Sequence, residues 1–190
     1  MKHGGPSIIR TAVCLSVVLS CAPFAVAAQE APRCAFTDGK LAISVTAEAA
    51  ADGAGSELQM TVSDGERLVA RLAATLPGFL EQCWKTDLDA NGHFEIVVAS
   101  SLAGEGARVN VYEWHETRFE PVKLAPVDPA LVPAGGRAER YYVADRMLYG
   151  RFRIEPEGEQ AESAGRHVTL RYGFATRRWE AAPSSSAPSP

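Results

Sequence analysis

An all-β fold is predicted: a single antiparallel β-sandwich or barrel-like domain of about eight to ten strands. Three features of the sequence lead there. Apolar residues recur at every second position, with Leu41, Ile43 and Val45 alternating with Ala42, Ser44 and Thr46, and Leu58, Met60 and Val62 alternating with Gln59 and Thr61. Such segments carry one apolar and one polar face, the pattern of a half-buried strand. Turn sequences interrupt them at short intervals, as at Ser63-Asp64-Gly65-Glu66, whose Asp-Gly favours a tight hairpin. Long amphipathic runs with a 3.6-residue period are missing, which leaves strands to build the core.

The elements follow in order. The hairpin at Asp64-Gly65 leads from the second alternating segment into a strand over 67–74. Further strands are expected at 80–86, 94–101, 108–114, 118–124, 139–143, 147–154, 167–174 and 178–181, joined by Ala-Asn-Gly, His-Glu-Thr and Ala-Asp-Arg turns. Residues 125–136 are rich in Pro and Gly and suit a loop crossing between sheets. A blade-length repeat is lacking, which argues against a full propeller. Residues 182–190 are Pro, Ser and Ala only, so a disordered tail is expected there.

The chain has 190 residues, with 19 Lys+Arg against 23 Asp+Glu. Its first 27 residues read as a secretory signal peptide: Lys2 and Arg10 precede an apolar stretch, and Ala25-Val26-Ala27 supplies small residues before a cut at Ala28. The rival is a membrane anchor, but the apolar run is short and holds Pro23. A minority alternative is a lipoprotein acylated at Cys21, since Val18-Leu19-Ser20-Cys21 is close to a lipobox. Cleavage leaves 28–181 as the folded domain, lowers the net charge from −4 to −6, and leaves no transmembrane segment in the mature chain. A periplasmic or secreted location is expected. The acidic balance speaks against a phosphate-tracking nucleic-acid binder, and the length against an α/β barrel. Cys34 and Cys83 remain, and in an oxidising compartment they are expected to pair, stabilising the fold by about 3–4 kcal/mol in the chain-entropy picture. Metal ligation by two isolated thiols is the weaker alternative.

The most specific segment is Asp87-Leu88-Asp89-Ala90-Asn91-Gly92-His93-Phe94-Glu95-Ile96-Val97-Val98. Oxygens at its first, third and fifth positions, followed by Gly, curl a loop so that carboxylates and an amide converge, and Glu95 stands at the ninth. Val98 occupies the twelfth position, where an EF-hand would place a bidentate Glu. Two readings stay open: Ca²⁺ held by Asp87, Asp89, Asn91 and Glu95, or Asp and Asn side chains that bond their own backbone amides with no metal.

This segment also resembles the D-x-D-x-x-G-x-x-E-I-V-V core of bacterial periplasmic inhibitors of invertebrate-type lysozyme, and single FG-GAP/VCBS-type segments. The resemblance continues through Ser100-Ser101-Leu102-Ala103-Gly104-Glu105-Gly106, the strand at 108–114, the hairpin at 140–149 and the closing Arg166-His167-Val168-Thr169-Leu170-Arg171-Tyr172. It covers about residues 80–180. It implies a β-sandwich without chemistry of its own, whose protruding Ser/Gly loop enters a lysozyme's cleft. The matching positions are Ser101, Gly104 and Gly106. Glu105 stands where a small Ser is typical and Arg108 where an aromatic residue is expected, and the two together would make an acidic tip offset by a cation.

Catalytic arrangements are thin. Glu113-Trp114-His115-Glu116 lacks a second His four residues on, a position held by Phe119. His93, His115 and His167 lie on three separate segments, and Ser100 and Ser101 are in no nucleophile elbow. An enzyme is therefore not expected. Trp84, Trp114 and Trp179 read first as core, and Arg151, Arg153, Arg171, Arg177 and Arg178 as the solvent face of late strands.

Overall fold

The computed structural model describes residues 33–51, 53, 55–155 and 166–183. The expected signal peptide, Cys21 and the tail beyond Pro183 lie outside the described residues. Twelve strands are described: β1 (Arg33–Asp38), β2 (Leu41–Ala49), β3 (Gly55–Asp64), β4 (Arg67–Pro77), β5 (Phe79–Thr86), β6 (Glu95–Leu102), β7 (Gly106–His115), β8 (Arg118–Val122), β9 (Arg137–Ala144), β10 (Met147–Ile154), β11 (Arg166–Gly173) and β12 (Arg178–Ala181). They form three four-stranded antiparallel sheets, β1–β4, β5–β8 and β9–β12, each a simple meander and none closed into a barrel. The all-β antiparallel class stands. The strand count exceeds eight to ten, and one sandwich becomes three packed sheets.

The alternation read from the sequence sets the faces. Ile43, Val45, Leu58, Met60 and Val62 point to one side of the first sheet, where they meet Ile96, Val98, Phe94 and Trp114 of the second. The second sheet buries its other face as well: Val97, Ala107 and Val111 pack against Leu148, Phe152, Leu170, Tyr172 and Trp179 of the third. The middle sheet thus has two apolar faces, and this is why β6 reads Glu-Ile-Val-Val-Ala-Ser with every residue from Glu95 to Ser100 buried.

Three devices hold the layers. The Cys34–Cys83 disulfide joins β1 to β5, Cα atoms 6.3 Å apart, and beside it Lys85 donates to the Thr37 carbonyl and Asp38 Oδ1 at 2.8 and 2.6 Å. At the passage from the first sheet to the second, the buried hydroxyls of Ser56 and Ser100 donate to the carbonyls of Gly78 and Pro77 at 3.0 and 2.8 Å. Ser100 is thus spent on structure. The 125–136 stretch does cross from the second sheet to the third. It is pinned by the Ala125 N–H to the Tyr172 hydroxyl (3.1 Å) and by Trp179 Nε1 to the Ala125 carbonyl (3.0 Å). Ala182, the first residue of the expected tail, still donates to the Thr169 carbonyl at 3.0 Å.

Candidate functional site

The 87–95 loop joins β5 to β6 at one end of the middle sheet. Its backbone turns through Ala90 and Gly92, both at positive φ (60° and 88°), which Gly adopts freely and other residues do not. Asp89 accepts the Asn91 backbone N–H at 3.2 Å, and Asn91 Oδ1 accepts the His93 backbone N–H at 2.7 Å. These side-chain-to-backbone bonds are the turn-capping half of the sequence expectation.

The loop also brings carboxylates together. Oxygens of Asp87, Asp89 and Glu95 all lie within 4.8 Å of one another. Glu95 is 1 % exposed, and its Oε2 accepts the Leu88 N–H at 2.8 Å. Burial pushes its carboxyl up to about 7; the Leu88 bond opposes this, while Asp89, Asp87 and Glu113 add to it by charge repulsion. Asp87 Oδ2 pairs with Arg146 Nη2 at 3.0 Å, whereas its Oδ1 is buried with no hydrogen-bond partner. Asn91 stands beside them. Its amide donates to Asp89 Oδ2 at 3.0 Å and Glu113 Oε1 at 2.7 Å, so it orients carboxylates.

The donor set is all oxygen, and atoms within 4.8 Å of one another are close enough to share a Ca²⁺ that each ligand reaches at about 2.3–2.6 Å. An orphaned, buried Asp87 oxygen and like charges crowded on a buried Glu95 are what a divalent cation would relieve. The residues present fit such an ion.

The second expected site is the hairpin between β6 and β7. Ser101 sits in the ladder, opposite Phe79 and Ala107, rather than at the tip. The tip is the short turn Ala103, Gly104 and Glu105, all exposed. It is anchored: Glu105 N–H donates to the Leu102 carbonyl at 3.0 Å, Arg137 Nη1 to the Gly104 carbonyl at 2.7 Å, and Arg108 Nη2 lies 3.6 Å from Glu105 Oε2. At Gly106 (φ 88°) a Cβ would stand 2.5 Å from the Ala138 carbonyl oxygen of β9. Only Gly lets the hairpin dock there.

Two neighbours of the loop come from distant segments. Arg146 reaches Asp87 from the β9–β10 turn, where Asp145 and Arg146 both hold positive φ (49° and 60°). His93 and His115 approach with ring centroids 5.4 Å apart, His115 lying 3.5 Å from Glu113 and 3.8 Å from Glu120. His167 stands elsewhere, against Glu139 at 3.1 Å. The Asp-Arg turn marked a hairpin without indicating its partner, and β7's outward alternation placed Glu113 and His115 on one face without revealing His93.

No family model, curated protein or solved structure matches the chain.

Proposed function

We propose that the chain is an exported, non-enzymatic β-sheet module of the cell envelope, stabilised by Ca²⁺ at Asp87, Asp89 and Glu95. The observation that carries this reading is the convergence of oxygens from those three carboxylates within 4.8 Å of one another, together with an Asp87 Oδ1 that is buried without a hydrogen-bond partner. The ion's role is structural: it ties the β5–β6 loop and relieves the buried Glu95. Export is supported by the Cys34–Cys83 disulfide, and among the described residues no helix is long and apolar enough to cross a membrane. Thermal melts with millimolar Ca²⁺ and with chelator test it. Calcium should raise the melting temperature of the wild-type chain and leave Asp87→Ala unmoved; equal melting in both conditions refutes it.

A second reading, favoured by the anchored tip at Gly104 and Glu105, is occlusion of a lysozyme cleft by the β6–β7 hairpin. A tip already fixed by Arg137 and Arg108 loses little conformational freedom on binding. Titrating the chain into several lysozyme classes tests it: slowed cell-wall lysis supports the reading, and unchanged lysis by every class removes it.

A further inference from the structure

The outer face of the β9–β12 sheet concentrates positive charge on an acidic chain. Ala138, Leu148, Phe152 and Leu170 turn to the second core, so the residues alternating with them form the opposite face, and a bulge in β9 between Ala138 and Arg140 brings Arg140 to that face as well. The register there sets arginines directly across from one another: Arg140 opposite Arg151, and Arg137 opposite Arg153. Like charges placed so are unfavourable unless something neutralises them. Three glutamates do part of this. Glu139 meets Arg151 at 3.4 Å, Glu155 meets Arg153 at 3.1 Å, and Glu180 meets Arg171 and Arg178 at 3.3 and 3.1 Å.

Arg137 instead donates to the Gly104 carbonyl at 2.7 Å, and Arg140 is left over. Among the described residues it has no carboxylate partner, and its Nε is buried without a hydrogen-bond acceptor. Its guanidinium lies 5.5 Å from the Tyr142 ring centroid, and that ring stacks on Tyr149 at 5.1 Å and 9°. The two tyrosines therefore hold the cation in place before any ligand arrives, which reduces the ordering cost of binding an anion. Arg137, Arg140, Arg151, Arg153, Arg171 and Arg178 stand against three glutamates, on a chain of formal net charge −4.

We propose that this face binds an acidic polysaccharide, with carboxylates of successive sugars seated on Arg140, Arg151 and their neighbours. Residues two apart along a strand are about 6.6–6.8 Å apart and adjacent strands about 4.8 Å, so the cations form a grid suited to a repeating anion rather than to a single one. Arginine's planar fork matches a carboxylate bidentately. The cores of protein–protein interfaces are depleted in charge, unlike this face, whose one exposed large apolar side chain is Met147. The choice of a glycan over a nucleic acid rests on the export reading above and on the disulfide that supports it.

The test uses the full chain with its disulfide intact, in chelator so that calcium plays no part. Affinity electrophoresis and calorimetry would compare polygalacturonate, neutral dextran, anionic phospholipid vesicles and single-stranded DNA at 20 and 200 mM salt. Polygalacturonate should bind and dextran should not, with affinity falling as salt rises. Arg140→Gln/Arg151→Gln should weaken binding at least tenfold while its melting temperature holds or rises, because opposed cations have been removed. Arg118→Gln, on another sheet, should bind as wild type. If the double variant fails to fold, the exposed Arg153→Gln alone should bind at least twofold more weakly. No binding at 20 mM salt, undiminished binding by the folded variants, tighter binding of DNA or vesicles, or self-association abolished by the same substitutions would each overturn the proposal.

Discussion

Arg146 Nη2 lies 3.0 Å from Asp87 Oδ2, and its Nε donates to the Asp87 carbonyl at 3.1 Å, although the two residues are 59 positions apart. A guanidinium from the third sheet's first hairpin thus closes on the loop that opens β6. It neutralises one Asp87 oxygen and leaves the other unpartnered. The ion pair is partly exposed, 61 % on the arginine side, so its own contribution is about 1 kcal/mol or less.

Replacing Arg146 therefore separates two effects. Arg146→Gln should cost up to about 1 kcal/mol of stability in chelator, and should enlarge the stabilisation by Ca²⁺ because the carboxylate cluster loses its resident cation. Paired melts of wild type and variant, with and without calcium, measure both.

Glu95 makes the metal-free protein's stability fall with rising pH. Its carboxyl is raised from 4.5 to about 7 by burial, so the folded state holds its proton more tightly than the unfolded chain does. The associated stability is fully present below about pH 4.5 and is lost as pH climbs through 7. Glu95→Gln keeps an acceptor for the Leu88 N–H and removes this ionisation. In chelator it should be more stable than wild type at pH 8, by about 3 kcal/mol at most, and equal to it at pH 4. Denaturant titrations at the two pH values decide it.

The disulfide ties the first sheet to the second across a sequence separation of 49. Cys34→Ser/Cys83→Ser should lose about 3–4 kcal/mol. Chemical denaturation of the variant against the oxidised wild type measures the loss.

Gly106 and Gly104 should respond differently to alanine. Both hold positive φ, 88° and 81°, but a Cβ at Gly106 meets the Ala138 carbonyl oxygen while the space at Gly104 is open. Gly104→Ala should cost about 1 kcal/mol from backbone strain alone, and Gly106→Ala more, about 2–3 kcal/mol, with the hairpin displaced from β9. Melting temperatures, and amide exchange at Ala138, would register the difference.

Period-two patterning carried most of the fold. The expected strands at 147–154 and 178–181 coincide with β10 and β12, where Leu148, Phe152 and Trp179 turn to the core while Arg153 and Arg178 stay exposed. β1 went unexpected: Cys34 and Phe36 do turn inward, but six residues make too short a pattern. The continuous apolar run at 94–98 implied a buried strand, yet its burial on both faces, and the two sheets that cover it, are long-range facts. The same limit applies at the loop. Asp87, Asp89 and Glu95 were legible because local spacing brings them together. Arg146, Glu113 and His115 were not, since they arrive from β7 and the β9–β10 turn, and with them the approach of His115 to the loop's own His93. Spacing also puts Asn91 at this loop, but not the bond its amide makes to Glu113 of β7.

Calorimetric titration of Ca²⁺ into the chelator-treated chain at pH 8 tests the central claim most directly. The account predicts one ion per chain, with an affinity in the range of about 10⁻⁴–10⁻³ M typical of extracellular modules, and loss of that binding in Asp89→Ala. Absence of binding by wild type at millimolar calcium, or equal binding by Asp89→Ala, would contradict it.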